Sequence, residues 1–318
     1  MSLEVITVKN LSKSFGETRA VEGMTFRVYQ QEIFGLVGPD GAGKTTTMRL
    51  LTGIMTPSAG EARVMGKHTV REAEALKEEI GYMSQRFGLY NDLSVEENIH
   101  FYADLYGVPQ RDREAKIDFL LSFSNLKPFR KRLAGKLSGG MKQKLGLICA
   151  LIHTPRVLFL DEPTSGVDPV SRREFWRILY QLVKEGVTIV LSTTYLDEVE
   201  RCSRVGLIHH GRLLACDTPE QIKKLMPGTI LEVVAPQIRR VASLLRTRLA
   251  VESVELFGDR LHLVTSSPAI TGQEVRILLQ QAGIPLRSLQ QVEPTLEDVF
   301  VSVLARMQRG EGGHALAH

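Results

Sequence analysis

The chain has 318 residues, a length that favours two domains. Hydrophobic residues make up 43% and charged residues 24%, and 27 Gly with 13 Pro exclude collagen-like and low-complexity classes. A total of 40 Lys and Arg against 36 Asp and Glu leaves a net charge of +4, too small and too scattered for a nucleic-acid-binding surface.

In chain order, Val5, Thr7 and their neighbours alternate as a strand, and 21–38 contains a second strand pair. The apolar run 33–37 ends in a glycine loop, and a helix is expected over about 45–53. A more polar, helical stretch covers 88–134, where Ser94 followed by Glu97 is a capping-box signature. Residues 157–160 and 187–191 are further apolar strands, and strands alternating with helices imply a mostly parallel sheet. The composition shifts at Met226-Pro227-Gly228. After it, strands over 229–235, 254–257, 261–265 and 286–292 alternate with helices over 238–249 and 275–283, and a last helix covers 295–307. That βαββαβ order predicts a small ferredoxin-like α+β domain. Residues 308–318 are expected to be a disordered tail.

No run of about 18 apolar residues occurs, so no membrane span is expected, and the first 15 residues lack the apolar centre of a signal peptide. Cys149, Cys202 and Cys216 match no zinc or redox spacing and are expected to be free thiols in a reducing cytosol.

Gly38-Pro39-Asp40-Gly41-Ala42-Gly43-Lys44-Thr45 fits the phosphate-binding pattern GxxxxGK[ST], between an apolar strand and a helix. Glycines let backbone N–H groups face phosphates, and the helix N-terminus adds positive partial charge. Lys44 is expected on the β- and γ-phosphates of a nucleotide, and the Thr45 hydroxyl on Mg2+. Asp161-Glu162 follows the apolar strand 157–160, which puts both carboxylates at the carboxyl edge of a parallel sheet, beside that loop. Asp161 would hold the metal and Glu162 would polarise the attacking water.

Leu137-Ser138-Gly139-Gly140-Met141 resembles the LSGGQ signature of ATP-binding-cassette (ABC) ATPases, and the order of motifs over about 4–225 resembles theirs as well. The resemblance implies a P-loop NTPase core of α/β class with a helical subdomain at about 88–155 and an N-terminal antiparallel β part. It further implies an ATPase domain over 1–225, an accessory α+β domain over 229–307, and ATP with Mg2+ as ligands. By the same resemblance, Gln85 is the Q-loop glutamine, both a metal ligand and a catalytic residue, Ser165-Gly166-Val167-Asp168 the D-loop, and Thr46 part of the nucleotide loop. Phe15 matches the aromatic that stacks on adenine; an ordinary half-buried strand-end Phe is the other reading. Ser138 opens a helix whose first N–H groups are unpaired, a ready anion site. In the family that end contacts the nucleotide of a second cassette, so two ATP molecules are sandwiched in a dimer. Lys136, Lys142 and Lys144 read as a solvated helix face rather than as phosphate contacts.

The sequence departs from the family at three positions. Asp40 stands where Asn is common, and Met141 where the signature has Gln. Thr194, in Ser192-Thr193-Thr194-Tyr195-Leu196-Asp197-Glu198, stands where the family's switch histidine contacts the γ-phosphate. Threonine is shorter and uncharged, so this site is expected to bind ATP but hydrolyse it slowly. GPDGAGKTT, LSGGMKQKLGL, GVDPVSRRE and STTYLDE together resemble the first cassette of tandem multidrug-type exporter ATPases. Glu293-Pro294-Thr295-Leu296-Glu297-Asp298-Val299-Phe300 resembles a terminal motif of daunorubicin-type exporter ATPases. Thr295 as helix N-cap with acids in the first turn explains that motif structurally; a regulatory or dimer-stabilising role is the sharper alternative.

The expectation is therefore an ATP-hydrolysing subunit, peripheral on the inner face of the cell membrane, energising export of a drug-like or lipid-like substrate through a separate permease. The alternative is a slowly hydrolysing, regulatory half of a heterodimeric ATPase pair. The partner cassette is either a second copy or one that keeps the histidine, and no nucleic acid is expected. Gln85 and 86–106 are the segment expected to dock the permease, with Phe87, Leu89 and Tyr90 either filling that interface or serving the subdomain's own core.

Overall fold

The computed structural model describes residues 3–86 and 88–308. They form two compact units that divide between Thr218 and Pro219. Phe87 and all of the expected tail except Gln308 lie outside the described residues.

In the first unit, β1 (Glu4–Phe15) and β2 (Thr18–Tyr29) make a hairpin, and β3 (Ile33–Val37) leads into α1 (Lys44–Leu51). Next come β4 (Ala59–Val64), β5 (Lys67–His68), α2 (Ala73–Lys77) and β6 (Ile80–Met83). The helical part holds α3 (Val95–Leu105), α4 (Gln110–Phe123) and α5 (Gly139–Leu151). The unit closes with β7 (Val157–Asp161), α6 (Pro169–Lys184), β8 (Thr188–Thr193), α7 (Leu196–Val199), β9 (Arg204–His209) and β10 (Arg212–Asp217).

These strands form two sheets. One is antiparallel, in the order β2-β1-β4-β5; the other has six strands, β10-β9-β3-β8-β7-β6. In the six-stranded sheet all neighbours are parallel except β10, which returns antiparallel to β9. Every residue of β3, β7 and β8 is buried. Helices cover both faces of such a sheet, so its strands are continuous apolar runs rather than alternating ones. α6 contributes Phe175, Trp176, Ile178, Leu179 and Leu182 as a buried stripe at helical spacing. α3 starts at the expected capping box: Glu97 N donates to Ser94 Oγ (3.2 Å) and Ser94 N to Glu97 Oε2 (2.7 Å). This topology places the carboxyl ends of β6, β3, β7 and β8 along one edge, where open α/β sheets bind ligands. Cys149, Cys202 and Cys216 are free and buried. Among the described residues no helix is long and apolar enough to cross a membrane.

The second unit contains α8 (Pro219–Lys223), β11 (Thr229–Val234), α9 (Ile238–Arg248), β12 (Ser253–Phe257), β13 (Arg260–Thr265), α10 (Pro268–Gln281), β14 (Ser288–Val292) and α11 (Leu296–Gln308). Its sheet runs β12-β13-β11-β14 with every neighbour antiparallel, the ferredoxin-like arrangement. α10 begins at Pro268 rather than at the expected 275. The apolar spacing only becomes regular at Val275, whereas the start is set by Pro in the first turn and by the Thr265–Thr271 hydroxyl bond of 2.8 Å.

A buried polar group sits on this sheet. His262 Nδ1 lies 2.6 Å from Asp298 Oδ1, and its Nε2 is 3.6 Å from Glu232, which also pairs with Arg260 at 2.9 Å. Asp298 accepts from Thr295 N (2.9 Å) and returns a bond from its own N–H to Thr295 Oγ1 (3.2 Å), so Thr295 caps α11 as expected. Burial pushes the His262 imidazole down, but Asp298 and Glu232 outweigh it and hold its pKa above the ordinary 6.5. Burial likewise pushes Asp298 up, but His262 and Thr295 outweigh it and hold it below 3.8. A raised histidine stabilises fully below 6.5 and loses that contribution as pH rises through the folded value; a lowered aspartate loses its contribution as pH falls below 3.8. Stability of the second unit is therefore expected to peak between these limits. His262→Ala should cost it about 3 kcal/mol and flatten the alkaline limb. Hydrogen exchange at β11 and β13 as a function of pH reads this directly, and a wild-type profile identical to that of the variant contradicts it.

Candidate functional site

Four strand ends build one cleft. From β3, the Gly38–Thr45 loop wraps back to the start of α1. Gly38 is obligatory because a Cβ there would lie 2.1 Å from Ile208 O. Gly43 has φ +102°, and a Cβ there would lie 2.3 Å from Ala20 O. Lys44 is buried, and its Nζ donates to Gly38 O (2.7 Å) and Pro39 O (3.0 Å). The same ammonium pairs with Glu162 Oε1 at 3.3 Å. A cleft of about 220 Å³ opens here, lined among others by Asp40, Thr45, Thr46, Gln85 and Glu162.

From β7, Asp161 is 1% exposed. Its Oδ1 accepts from Thr45 Oγ1 (3.2 Å) and from Ser192 Oγ (2.5 Å). Its Oδ2 is buried and makes no hydrogen bond among the described residues. A buried carboxylate oxygen left unpaired is costly, and a bound divalent cation would satisfy it. The residues present therefore fit Mg2+, with Thr45 and Asp161 as the oxygen donors. Tyr82, on β6, is half-buried, and burial together with the Asp161 charge pushes its phenol up to about 12.

Glu162 holds a φ of 50°, a left-handed conformation that costs a non-glycine residue energy. Two bonds fix it, from Glu162 N to Ser192 O (3.1 Å) and to Ser192 Oγ (3.0 Å). Strain of this kind, held by its surroundings, concentrates at functional positions. From the β6 end, Gln85 Nε2 donates to Glu162 Oε2 at 3.0 Å. Ser192, on β8, thus positions both acids, a role that its place in the sequence did not single out. The one available signal is a serine ending a buried apolar strand beside the switch segment.

Thr194 follows β8 directly and is half-buried. Its neighbour Thr193 accepts at its carbonyl from Gly38 N (3.4 Å), so Thr194 abuts the start of the Gly38–Thr45 loop. Phe15 ends β1, is 49% exposed, and carries the Lys13 ammonium 5.3 Å from its ring centroid. Neither Phe15 nor any of Leu137, Ser138, Gly139, Gly140 and Met141 is among the residues lining the cleft.

The signature segment belongs to a different surface. Ser138 caps α5, accepting from Met141 N at 3.3 Å, and Ser138 and Gly139 are exposed. Gly140 packs so closely on α6 that a Cβ would lie 2.5 Å from Ser171 Cβ. Asp168 caps α6, accepting from Val170 N (3.0 Å) and Ser171 N (2.9 Å); the Ser171 bonds hold its carboxyl below the usual range. Ser165, Gly166 and Val167 form the turn between Glu162 and that cap, with Val167 N donating to Thr164 O at 3.1 Å. The signature and the Asp168 turn are therefore one packed unit. Lys144 departs from the expected solvated face: it is buried and paired with Glu174, while Lys136 is exposed and Lys142 half-buried. On the helical part, Tyr90 and Phe101 are 48% and 37% exposed with ring centroids 4.6 Å apart, next to Leu105 at 65%; Leu89 is half-buried.

A family profile described as "ABC transporter" matches residues 21–165, and one described as "ATP-binding protein DrrA1-3-like, C-terminal domain" matches 218–304. The chain is 41% identical over 316 residues to the probable multidrug ABC transporter ATP-binding protein YbhF of Escherichia coli (strain K12), covering 96% of the chain but 53% of that relative. It thus spans about half the length of that protein. It is 36% identical to the Nod factor export ATP-binding protein I of Rhizobium sp. (strain N33), covering 96% of the chain and 99% of the relative. It is 34% identical to the daunorubicin resistance ATP-binding protein DrrA3 of Streptomyces coeruleorubidus, covering 95% and 96%. A solved ATP-binding subunit of an ABC transporter superposes with a TM-score of 0.63 at 30% identity, over 69% of this chain and 92% of that one.

Proposed function

The chain belongs to the ABC transporter ATP-binding protein family, and from that premise we propose that it binds and hydrolyses ATP to energise export through a separate membrane permease. The observation that carries this reading is the cleft lined by Lys44, Thr45, Gln85 and Glu162, with Asp161 buried behind Thr45 at 3.2 Å. Lys44 and the backbone N–H groups after Gly41 bind the β- and γ-phosphates. When bound, Mg2+ supplies charge neutralisation on the phosphate oxygens. Thr45 and Asp161 hold that ion, and Gln85 orients Glu162. Glu162 accepts the proton of the attacking water, and Ser192 keeps both acids in place. Phe15 offers its exposed face to the base.

Ser138, Gly139 and Gly140 lie outside the cleft and serve the nucleotide of a second cassette. That partner is either a second copy of this chain or one that carries the switch histidine. The exposed Tyr90, Phe101 and Leu105 form an apolar patch suited to a permease helix, which supports a peripheral position on the inner membrane face. The cargo is drug-like or lipid-like, in keeping with relatives named for multidrug, Nod factor and daunorubicin functions. Thr194 favours a second reading as well, in which this site turns over slowly and regulates a heterodimeric pair.

Equilibrium dialysis with MgATP tests the binding half of the proposal. Wild type should bind, and Lys44→Ala should bind more than about 10²-fold more weakly, since it removes a charge-assisted contact worth about 3 kcal/mol. Equal binding by the two proteins would refute the assignment of the cleft.

A further inference from the structure

Outside the phosphate contacts, the buried carboxylates among the described residues of the first unit are Glu32 and Glu198. Glu198, in the first turn of α7, is 1% exposed. Its Oε1 and Oε2 accept from Thr164 Oγ1 at 2.7 and 2.8 Å. Its Oε2 also accepts from Thr193 Oγ1 at 3.2 Å, and its Oε1 pairs with Arg172 Nε at 3.1 Å. The Arg172 guanidinium lies 4.5 Å from the Tyr195 ring centroid. These partners come from three places: Thr164 from the turn after β7, Thr193 from the end of β8 and Arg172 from α6. Thr164 accepts at its carbonyl from Val167 N (3.1 Å), in the turn ahead of Asp168. Arg172 N donates to Asp168 O (2.9 Å). Thr193 accepts at its hydroxyl from Tyr195 N (3.0 Å) and at its carbonyl from Gly38 N (3.4 Å). Glu198 is thus the shared acceptor between the turn that faces the second cassette and the segment that carries Thr194.

A buried carboxylate is a poor way to gain stability, because its desolvation offsets most of the pairing energy. What it supplies is direction: the Thr164 and Thr193 hydroxyls, from two separate segments, are satisfied together only in one mutual arrangement, with the Arg172 guanidinium as the neighbouring charge. We propose that Glu198 is a positioning residue that locks the Val167–Asp168 turn to the Thr193–Tyr195 segment, so that a change at the dimer-facing turn reaches the γ-phosphate position. The proposal rests on the nucleotide-site reading above for its catalytic consequence, but the mechanical tie is a property of the folded chain alone.

Glu198→Gln keeps the shape and sets an amide against Arg172 or the threonines, so it should uncouple the two segments. Hydrogen exchange in 164–168 and 193–197 is expected to speed up together by about tenfold, with α1 and α5 unchanged. The kcat for MgATP should fall about tenfold with KM within about twofold, since phosphate binding does not use this residue. Arg172→Met combined with Glu198→Gln should be no worse than Glu198→Gln alone, because both break one tie. Thr164→Val breaks the same tie from the hydroxyl side and decides the matter if Glu198→Gln fails to fold. Unchanged exchange in a folded variant would overturn the proposal. So would a uniform loss of protection across the first unit with a parallel rise in KM, the mark of a merely structural role. If wild type hydrolyses no ATP, the nucleotide-site reading fails on its own, and the exchange measurement still decides the role of Glu198.

Discussion

Glu162→Gln should lower MgATP turnover by about 10²–10³-fold while leaving MgATP affinity within about twofold. The reason lies in how the residue is held. Its backbone sits at φ 50°, pinned by two bonds to Ser192, so the side chain has little freedom to find another role. Its two oxygens meet Gln85 Nε2 at 3.0 Å and the Lys44 ammonium at 3.3 Å. Glutamine has the same shape and keeps an oxygen for Gln85, but it accepts no proton from water at neutral pH. Removing the carboxylate also frees Lys44 from a competing anion, which favours phosphate binding if it changes it at all. Phosphate release with labelled ATP gives the rate, and equilibrium dialysis gives the affinity. Loss of both together would point instead to a collapsed loop.

Thr194→His should raise turnover of the isolated chain by tenfold or more. Threonine offers one short neutral donor at a position that abuts the Gly38 end of the phosphate loop through Thr193. Histidine extends further, and its ring nitrogen donates from a longer arm. One well-placed transition-state donor is worth about 3 kcal/mol, or about 10²–10³ in rate. The gain should appear in kcat and not in KM, because the ground-state phosphates are already held by Lys44 and the loop amides. A variant no faster than wild type means that Thr194 suffices, in which case a homodimer of complete sites is the simpler assembly.

The phosphate loop was legible in the sequence because its chemistry dictates residue types at fixed spacing: glycines where the backbone turns left-handed or is crowded, then lysine and threonine at the start of a helix. Asp161 and Glu162 were legible because acids that follow the four-residue apolar run 157–160 have one natural destination. Ser192 and Glu198 were not. Their partners lie 31 and 34 residues away, and only the parallel pairing of β7 with β8 and the return of α7 bring them together. The antiparallel sheet around β4 was also hard to read, because only Ala62 and Val64 of its six residues are buried, leaving a weak alternation. In the second unit the βαββαβ order was visible in the apolar spacing. The start of α10 was not, since Pro268 and a threonine pair set it rather than a hydrophobic stripe. The buried face of Lys144 escaped for a related reason: its partner Glu174 lies on α6, and nothing local announces the pairing.

On this reading the cleft binds ATP fully, and Thr194 limits its hydrolysis. Steady-state MgATP turnover of the purified wild-type chain, run beside Glu162→Gln and Thr194→His under one set of conditions, tests it most directly. The expected result is saturable ATP binding in all three, slow wild-type turnover about 10²–10³-fold above the Glu162→Gln floor, and a further tenfold or greater rise in Thr194→His. Turnover that is the same in wild type and in Thr194→His would refute it.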